Sequence, residues 1–298
     1  MGTQSGYSPV VASGEGDALR VELDRGHPGF ADPEYRARRD EIAAISAGYR
    51  PGSAIARVDY SETEHDVWRI VSRELAPKHR RYGCRAFVEA AETLSLPVDH
   101  VPQLDEVTRR LEPITGFTYR PVAGLAPLRE FYGAFGERRF FSTQYLRHHS
   151  VPLYTPEPDI IHEVIGHANQ LADPSFASIC EEVGSAVART ESIDALAFMS
   201  KVFWFTLEFG VGFEGEEPKA YGAGILSSFG ELDVFQAAEI RPLDFAEMGS
   251  TEYDITHYQP VLYAAASFEE LVGELTTFYA TYDDEAYERL LSKGAAVG

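Results

Sequence analysis

Two histidines and a glutamate in PDIIHEVIGH, residues 158–167, are residue types that bind metals and transfer protons. His162 and His167 lie five residues apart, whereas zinc proteases separate two histidines by four, which puts both rings on one helical face. In a regular helix, five residues turn the second ring by about 140°. One histidine must therefore lie at a helix end or a local widening, and Gly166 lets the chain adjust there.

A metal bound by these histidines needs a third protein ligand, and a carboxylate is the expected type. Both cysteines, Cys84 and Cys180, are predicted to be reduced, buried thiols. Glu208 is the leading candidate because it lies in the apolar run FWFTLEFGVG, where an acid points inward only if paired or metal-bound. Two simpler interpretations stay open: histidines satisfied by hydrogen bonds, and Glu208 as a half-exposed helix acid.

The YTPEPD segment before the histidines supplies two acids, Glu157 and Asp159. Histidine ligands commonly donate their second ring N–H to a carboxylate, which fixes the tautomer and the ring orientation. We therefore expect these acids to be partners of the imidazole rings. Two histidines with one carboxylate leave open positions on an octahedral iron for oxygen.

The periodicity of apolar residues predicts that mostly helices position these residues. Ser61 and Glu64 form an S-x-x-E capping box at the start of one helix, and Pro113 with Gly116 is predicted to end another. Residues 115–159 are rich in proline, glycine and aromatics, which predicts a long, mostly irregular binding segment. The predicted helices lie at residues 35–50, 61–75, 80–96, 102–116, around 158–167, 192–210 and 267–282, with short strands or turns in RPLDF and YQPVLYAAA.

Composition and charge exclude several classes of function. The chain has 298 residues, 44% of them hydrophobic, and carries 26 basic against 47 acidic residues, a net charge of −21. Such a charge argues against nucleic acid as a partner. The sequence contains no signal peptide pattern and no apolar run long enough for a bilayer, so we expect no membrane contact and a cytoplasmic location.

Several motifs, in this order, resemble the catalytic domain of the pterin-dependent aromatic amino acid hydroxylases: RPVAGL, TQYLRHHS, YTPEPDIIHEVIGH, FWFTLEFG and KAYGAGILSSFGEL. HPGFADPEYRARRDEIA near the start is similar as well. The resemblance implies a mainly α fold with a small β component, as a flexible leader over residues 1–25 and one catalytic domain over residues 26–298. It also implies Fe(II), tetrahydrobiopterin or a related tetrahydropterin, O2 as co-substrate and a free aromatic amino acid as substrate.

The resemblance places functional roles on particular residues. His162, His167 and Glu208 fall on the three iron ligands, and Glu163 lies between the pterin and the iron as a catalytic residue. The implied pterin-binding residues are Gly124, Leu125, Ala126, Leu128, Phe131, Glu163 and Phe203. Arg147 matches the residue that binds the carboxylate of the amino acid, and the other implied substrate-binding residues are Thr155, Trp204, Phe209, Gly224, Ser227, Ser228 and Ile255.

Particular positions predict the substrate. Trp204 favours phenylalanine or tyrosine over tryptophan, because tryptophan hydroxylases resemble this pattern with a smaller Phe there. Ile255 is apolar where tyrosine hydroxylases carry an acid, which favours a ring without a hydroxyl group. Conversion of L-phenylalanine to tyrosine is the first expectation. Attack at the meta carbon is the main alternative, since Phe141 stands where animal members carry histidine and its bulk could shift the ring.

The sequence departs from the family pattern at several positions. Ala168 and Asn169 follow the second histidine, and Ala126 and Leu128 alter the pterin segment. The further alternatives are a tryptophan 5-hydroxylase, a zinc hydrolase and a non-catalytic binding protein. No regulatory domain and no C-terminal heptad repeat is evident, which predicts a monomer or small oligomer.

Overall fold

The computed structural model describes residue 23 and residues 25–254 and 257–294. Nearly all of the predicted flexible leader, and Ile255 of the predicted substrate site, lie outside the described residues. Among the described residues, no helix combines the length and the apolar character needed to cross a lipid bilayer.

Among the described residues, four helices precede the first strand, and capping side chains begin the first two of them. Asp32 caps α1 (Pro33–Ala47) by accepting from the backbone N–H groups of the first turn. The predicted capping box of Ser61 starts α2 (Glu62–Tyr82). The next two helices are α3 (Arg85–Leu94) and α4 (Leu104–Thr115).

The predicted end of α4 is only partly right. Pro113 lies inside the helix rather than ending it, and the chain leaves the helix at Gly116, whose φ of 81° is left-handed. A proline near a helix end costs only one hydrogen bond to the preceding turn, so the helix continues past it. Glycine adopts the left-handed conformation without a side-chain clash and is therefore the true stop.

The segment after α4 is more ordered than the sequence predicted. It contains β1 (Thr118–Pro121), α5 (Leu128–Phe135) and β2 (Arg139–Ser142), and the two strands pair in parallel. The expectation of a mostly irregular segment over residues 115–159 therefore holds for residues 143–159, whereas residues 118–142 contain two strands and a helix that were not predicted. Apolar and aromatic residues of α5 are spaced i, i+3, i+4, i+7, but flanking Pro127 and Gly136 concealed this short helical period.

The central part of the chain contains two π-helices, in which each turn is wider than in an α-helix. The first π-helix is His162–Ala168, and it continues into α6 (Asn169–Leu171). The second π-helix, Trp204–Glu208, continues directly from α8. Between them lie α7 (Pro174–Arg189) and α8 (Ile193–Phe203).

The remaining chain forms a small sheet with helices around it. Its strands have the order β4-β3-β6-β5, in which β3 pairs with β4 antiparallel and β6 pairs with β3 and β5 in parallel. The two segments predicted as short strands contribute to β5 and β6. These elements are β3 (Val211–Glu214), β4 (Glu217–Ala220), α9 (Ala223–Ser227), α10 (Glu231–Val234), a short 3₁₀ turn (Phe235–Ala237), β5 (Glu239–Pro242), α11 (Phe245–Ser250), β6 (Val261–Ala265), α12 (Phe268–Thr281) and α13 (Asp284–Gly294).

One continuous apolar core surrounds the two π-helices. Its largest fully buried side chains include Trp68, Phe176 and Phe203. Cys84 and Cys180 are both buried and free, as predicted. The mainly α fold with a small β component is confirmed, and the packed core fixes the elements that carry the candidate site.

Candidate active site

The first π-helix brings the two histidines onto one face. Its hydrogen bonds repeat every five residues, so side chains at i and i+5 are neighbours there, as side chains at i and i+4 are in an α-helix. The Nε2 atoms of His162 and His167 are 3.1 Å apart, with the ring planes at 89°. The local widening predicted from the five-residue spacing is therefore confirmed.

Glu208, at the end of the second π-helix, faces both rings. One carboxylate oxygen lies 3.0 Å from His167 Nε2, and the other lies 3.6 Å from His162 Nε2. A metal about 2.1 Å from each of three ligand atoms at right angles separates those atoms by about 3.0 Å. Two imidazole nitrogens and a carboxylate therefore fit a metal with open coordination positions, and the identity of the metal rests on the family.

A serine hydroxyl, rather than an acid, supports the ring of His162. Ser227 Oγ lies 2.9 Å from His162 Nδ1, which leaves Nε2 directed at the carboxylate. The expectation that Glu157 and Asp159 pair with the imidazole rings is wrong. Asp159 accepts hydrogen bonds from Arg147 and from the backbone N–H of His162, because the start of the π-helix points its free N–H groups at this carboxylate.

Burial and a neighbouring charge shift the pKa values of two of the three candidate ligands. Burial lowers the pKa of His162 to about 4, which keeps its imidazole neutral near pH 7. Burial also opposes ionisation of Glu208, but the facing His167 outweighs it, and the pKa of Glu208 lies below its usual value. Neutral imidazoles and an ionised carboxylate are the forms that coordinate a metal.

Glu163 differs from Glu208 in its surroundings. Its carboxyl group is buried, and an oxygen lies within 4.8 Å of the ligand nitrogens of His162 and His167. Burial, followed by the charges of Glu208 and Asp159, raises its pKa well above the usual value. The Tyr119 hydroxyl donates to the Glu163 carbonyl oxygen at 2.7 Å and holds this turn. Glu163 is therefore close enough to act beside a metal held by the two histidines, as Glu208 is.

The residues predicted to bind pterin lie around the start of α5. Gly124 is buried, Leu125, Ala126 and Phe131 are half-buried, and Leu128 is exposed. The Phe131 ring lies 5.6 Å from the ring of Phe140, which lies 4.7 Å from the His167 ring. A row of aromatic rings thus connects this segment to the candidate metal ligands. Phe203 is 1% exposed and packs on Tyr132 and Phe135, so its contact with pterin stays a prediction.

Three residues predicted for the ring pocket lie together. The Trp204 and Phe209 rings are 4.4 Å apart, and the Phe209 ring lies against Gly224. A Cβ atom on Gly224 would approach that ring to 2.6 Å, so only glycine leaves this space. The Gly224 carbonyl oxygen accepts from Ser227 Oγ at 3.3 Å, which connects the pocket to His162.

The polar residues predicted to bind the substrate form hydrogen bonds with other protein groups. Arg147 is 4% exposed and makes two 2.9 Å hydrogen bonds to Asp159 through Nε and Nη2, while Nη1 reaches the Pro152 carbonyl oxygen at 3.4 Å. The Thr155 hydroxyl bonds to the Glu157 backbone, and the Ser228 hydroxyl accepts from the Glu231 backbone N–H. Arg147 is thus oriented by its acid, whereas the two hydroxyl groups have local partners.

Residues 17–288 match the family of biopterin-dependent aromatic amino acid hydroxylases. The chain belongs to this family. A phenylalanine 3-hydroxylase of Streptomyces coeruleorubidus is 47% identical over 265 residues, 89% of this chain and 95% of that protein. Phenylalanine-4-hydroxylase of Rattus norvegicus is 44% identical over 269 residues, 88% of this chain and 59% of the rat enzyme.

Among solved structures, the fold is similar to the apo structure of a cold-active phenylalanine hydroxylase from Colwellia psychrerythraea 34H. The TM-score is 0.74 at 28% identity, with 84% of this chain and 94% of that chain covered. The predicted family and enzyme class, a pterin-dependent aromatic amino acid hydroxylase of the phenylalanine hydroxylase type, are therefore confirmed.

The structure of this hydroxylase adds site residues that the sequence did not reveal. The Tyr253 ring stacks on Trp204 at 4.1 Å, and Gln259 Oε1 accepts from Trp204 Nε1 at 3.4 Å. Phe140 contacts the His167 ring. These three residues lie on strands or loops with no metal-ligand chemistry, so no motif or spacing pointed to them.

Proposed function

We propose that this hydroxylase inserts one oxygen atom into the ring of free L-phenylalanine, with Fe(II) and tetrahydrobiopterin or a related tetrahydropterin as cofactors. The observation that carries the proposal is the His162, His167 and Glu208 arrangement beside an aromatic pocket. Bound iron and tetrahydropterin together supply the activation of O2. The chain's own residues have the tasks of holding the amino acid, orienting its ring and excluding water.

The proposed binding mode uses charge at one end of the substrate and aromatic packing at the other. The Arg147 guanidinium is a permanently charged, planar donor that suits a carboxylate, and Asp159 keeps it oriented. Trp204, Phe209 and Gly224 form the wall against which the phenyl ring packs. Apolar walls exclude water from the site, and fixed placement of the ring selects the carbon that reacts.

Glu163 is proposed to act beside the metal as a proton-carrying group rather than as a ligand. Its buried carboxyl has a raised pKa, whereas the Glu208 carboxylate, whose pKa is lowered, lies 3.0 Å from His167 Nε2. A protonated carboxyl can donate a hydrogen bond to a pterin or to a water in the site.

We infer that the new hydroxyl group is placed on the meta carbon. The support is the 47% identity to a phenylalanine 3-hydroxylase over nearly the full length of both chains, against 44% to a 4-hydroxylase. Phe141, half-buried on β2, is a second position that we propose to influence the placement of the substrate ring. The para product, which the family pattern predicts first, is the alternative.

The test is a product analysis of the purified protein with L-phenylalanine, ferrous iron, tetrahydrobiopterin and O2. Mass and ring-proton patterns separate meta-tyrosine from para-tyrosine. Meta-tyrosine as the main product supports the proposal, and para-tyrosine alone overturns the meta assignment. Tryptophan and tyrosine are run in parallel, because turnover of one of them instead of phenylalanine would overturn the substrate assignment.

Glu208→Ala tests the ligand assignment in the same assays. Loss of the carboxylate is expected to reduce bound iron and to abolish hydroxylation, since only two protein ligands remain. Metal analysis after gel filtration measures the iron content. Glu285→Ala is the matched control, because that side chain is 89% exposed and pairs only loosely with Arg289. Unchanged iron content in Glu208→Ala would assign the third ligand to another acid, with Glu163 the nearest candidate.

A further inference from the structure

A single buried amide connects the ring pocket to the chain that follows Tyr253. Gln259 is 5% exposed, and both the oxygen and the nitrogen of its carboxamide form hydrogen bonds. Its Oε1 atom accepts from Trp204 Nε1 at 3.4 Å, and its Nε2 atom donates to the carbonyl oxygens of Asp254 and His257, each at 3.0 Å. Three polar groups thus depend on one buried carboxamide.

The backbone of Gln259 is also fixed. Its N–H donates to Glu231 Oε1 at 3.0 Å, and Glu231 is 5% exposed. The Glu231 backbone N–H in turn donates to the Ser228 hydroxyl at 3.3 Å. Next to this contact, the Tyr258 hydroxyl lies so close to Gly230 that a Cβ atom there would be only 2.0 Å away. Tyr258 and Gln259 therefore pack against the turn that follows α9.

Trp204 is held between two parts of the chain. Its indole ring packs on Phe209 at 4.4 Å on one side and stacks on Tyr253 at 4.1 Å with an interplanar angle of 11°. Stacking allows the ring to slide within its plane, whereas a hydrogen bond from Nε1 fixes the direction of the indole. The position of this pocket wall therefore depends on Gln259.

We propose that Gln259 is a positioning residue that determines ring placement: its carboxamide locks the Trp204 indole and the backbone at Asp254 and His257 into one arrangement. This inference rests on the proposed function for its kinetic consequences but not for its structural ones. Gln259 does not touch the metal ligands, so it acts on the substrate only through Trp204 and the neighbouring backbone.

The first test is Gln259→Leu, which keeps a similar volume and removes all three side-chain hydrogen bonds. We expect KM for L-phenylalanine to rise about tenfold, with less amino acid hydroxylated per tetrahydropterin oxidised and a larger share of the second ring isomer. Gln236→Leu is the matched control, because that exposed glutamine makes one hydrogen bond, to the Pro218 carbonyl oxygen. A purely structural role would lower thermal stability and leave KM and the isomer ratio unchanged.

Further variants test separately the two contacts of Gln259, the backbone hydrogen bond to Glu231 and the side-chain hydrogen bond to Trp204. Glu231→Gln keeps an acceptor for the Gln259 backbone and is expected to behave like the unsubstituted protein, whereas Glu231→Leu removes the acceptor and should resemble Gln259→Leu. Trp204→Phe removes the indole donor, so adding Gln259→Leu to it should change the isomer ratio less than Gln259→Leu does alone. Equal effects in both backgrounds would overturn the connection through Trp204.

Amide hydrogen exchange tests the inference without turnover. Peptides containing Tyr253 and His257 should exchange faster in Gln259→Leu than in Gln236→Leu, measured without substrate. If no aromatic amino acid is hydroxylated, the proposed function fails while this measurement still decides the role of Gln259. Unchanged exchange, or an unchanged KM and isomer ratio in an active enzyme, would overturn the proposal.

Discussion

At the scale of single residues, a neutral hydroxyl group contacts the ring of a candidate metal ligand, His162, where the sequence predicted a carboxylate. Ser227 Oγ lies 2.9 Å from His162 Nδ1, while Asp159 is occupied by Arg147. A neutral acceptor fixes the ring without adding negative charge beside Glu208. The site therefore carries no additional negative charge from this residue. Glu208 keeps its attraction for a cation, and no second acid at the position of Ser227 repels it.

Ser227→Ala should weaken iron binding by about 10- to 100-fold, because loss of an outer hydrogen bond frees the ring of His162 to rotate. Competition with a chelator measures the iron dissociation constant. Ser228→Ala is the matched control, since its hydroxyl contacts the Glu231 backbone and no imidazole. Equal iron affinity in both variants would show that the His162 ring is held by packing alone.

The residue types and spacing of the metal site could be read from the sequence, whereas its neighbours could not. The histidines and Glu208 are unusual in their apolar surroundings, so each is conspicuous by itself. Tyr253 and Gln259 are ordinary residue types, and only the folding of their segment onto Trp204 gives them a role. Sequence patterns report local chemistry, and such long-range contacts carry no local signal.

At the scale of elements, two π-helices carry the three candidate ligands. The i, i+5 spacing predicted a widening at the histidines, but nothing in FWFTLEFG indicated a second one. The first π-helix packs on α9, and Gly166 is the point of closest approach: a Cβ atom there would lie 2.8 Å from the Ala223 carbonyl oxygen. The same α9 supplies Ser227, so this contact sets the distance between Ser227 and His162.

Gly166→Ala should therefore push the first π-helix away from α9. We expect a loss of about 1–3 kcal/mol in the free energy of unfolding and weaker iron binding. Urea denaturation of the metal-free protein measures the first effect, and chelator competition measures the second. Gly212→Ala in β3 is the control, because a Cβ atom there meets nothing within 4 Å. Similar stability of the two variants would mean that the contact relaxes freely.

The elements themselves were predictable where local signals were strong. Long helices such as α2 have a capping box and several turns of periodicity. The eight-residue α5 and the four-residue strands β1 and β2 have too few turns or alternations for a pattern to stand out. Their stability comes from tertiary packing, which a single sequence does not display.

At the scale of the whole molecule, a buried ion pair connects the first helix of the fold to the active-site segment. The guanidinium of Arg39 in α1 bonds both carboxylate oxygens of Glu157, one of them at 2.9 Å. Both residues are 6% exposed, and the guanidinium also lies 4.0 Å from the centre of the Tyr145 ring. This ion pair joins two residues that are 118 positions apart in sequence. Glu157 lies two positions before Asp159, the acid that orients Arg147.

A double-substitution cycle tests this connection. Glu157→Leu and Arg39→Met should each cost about 3–5 kcal/mol in the free energy of unfolding, because each leaves the charge of the other residue buried without its counter-ion. Arg39→Met combined with Glu157→Leu should cost less than either single change, since no charge remains to be desolvated. Arg109→Met is the control, as its pair with Asp105 is largely exposed and is worth under about 1 kcal/mol. Strictly additive losses in the double variant would show that the pair is not coupled, and α1 would then hold the active-site segment by apolar packing alone.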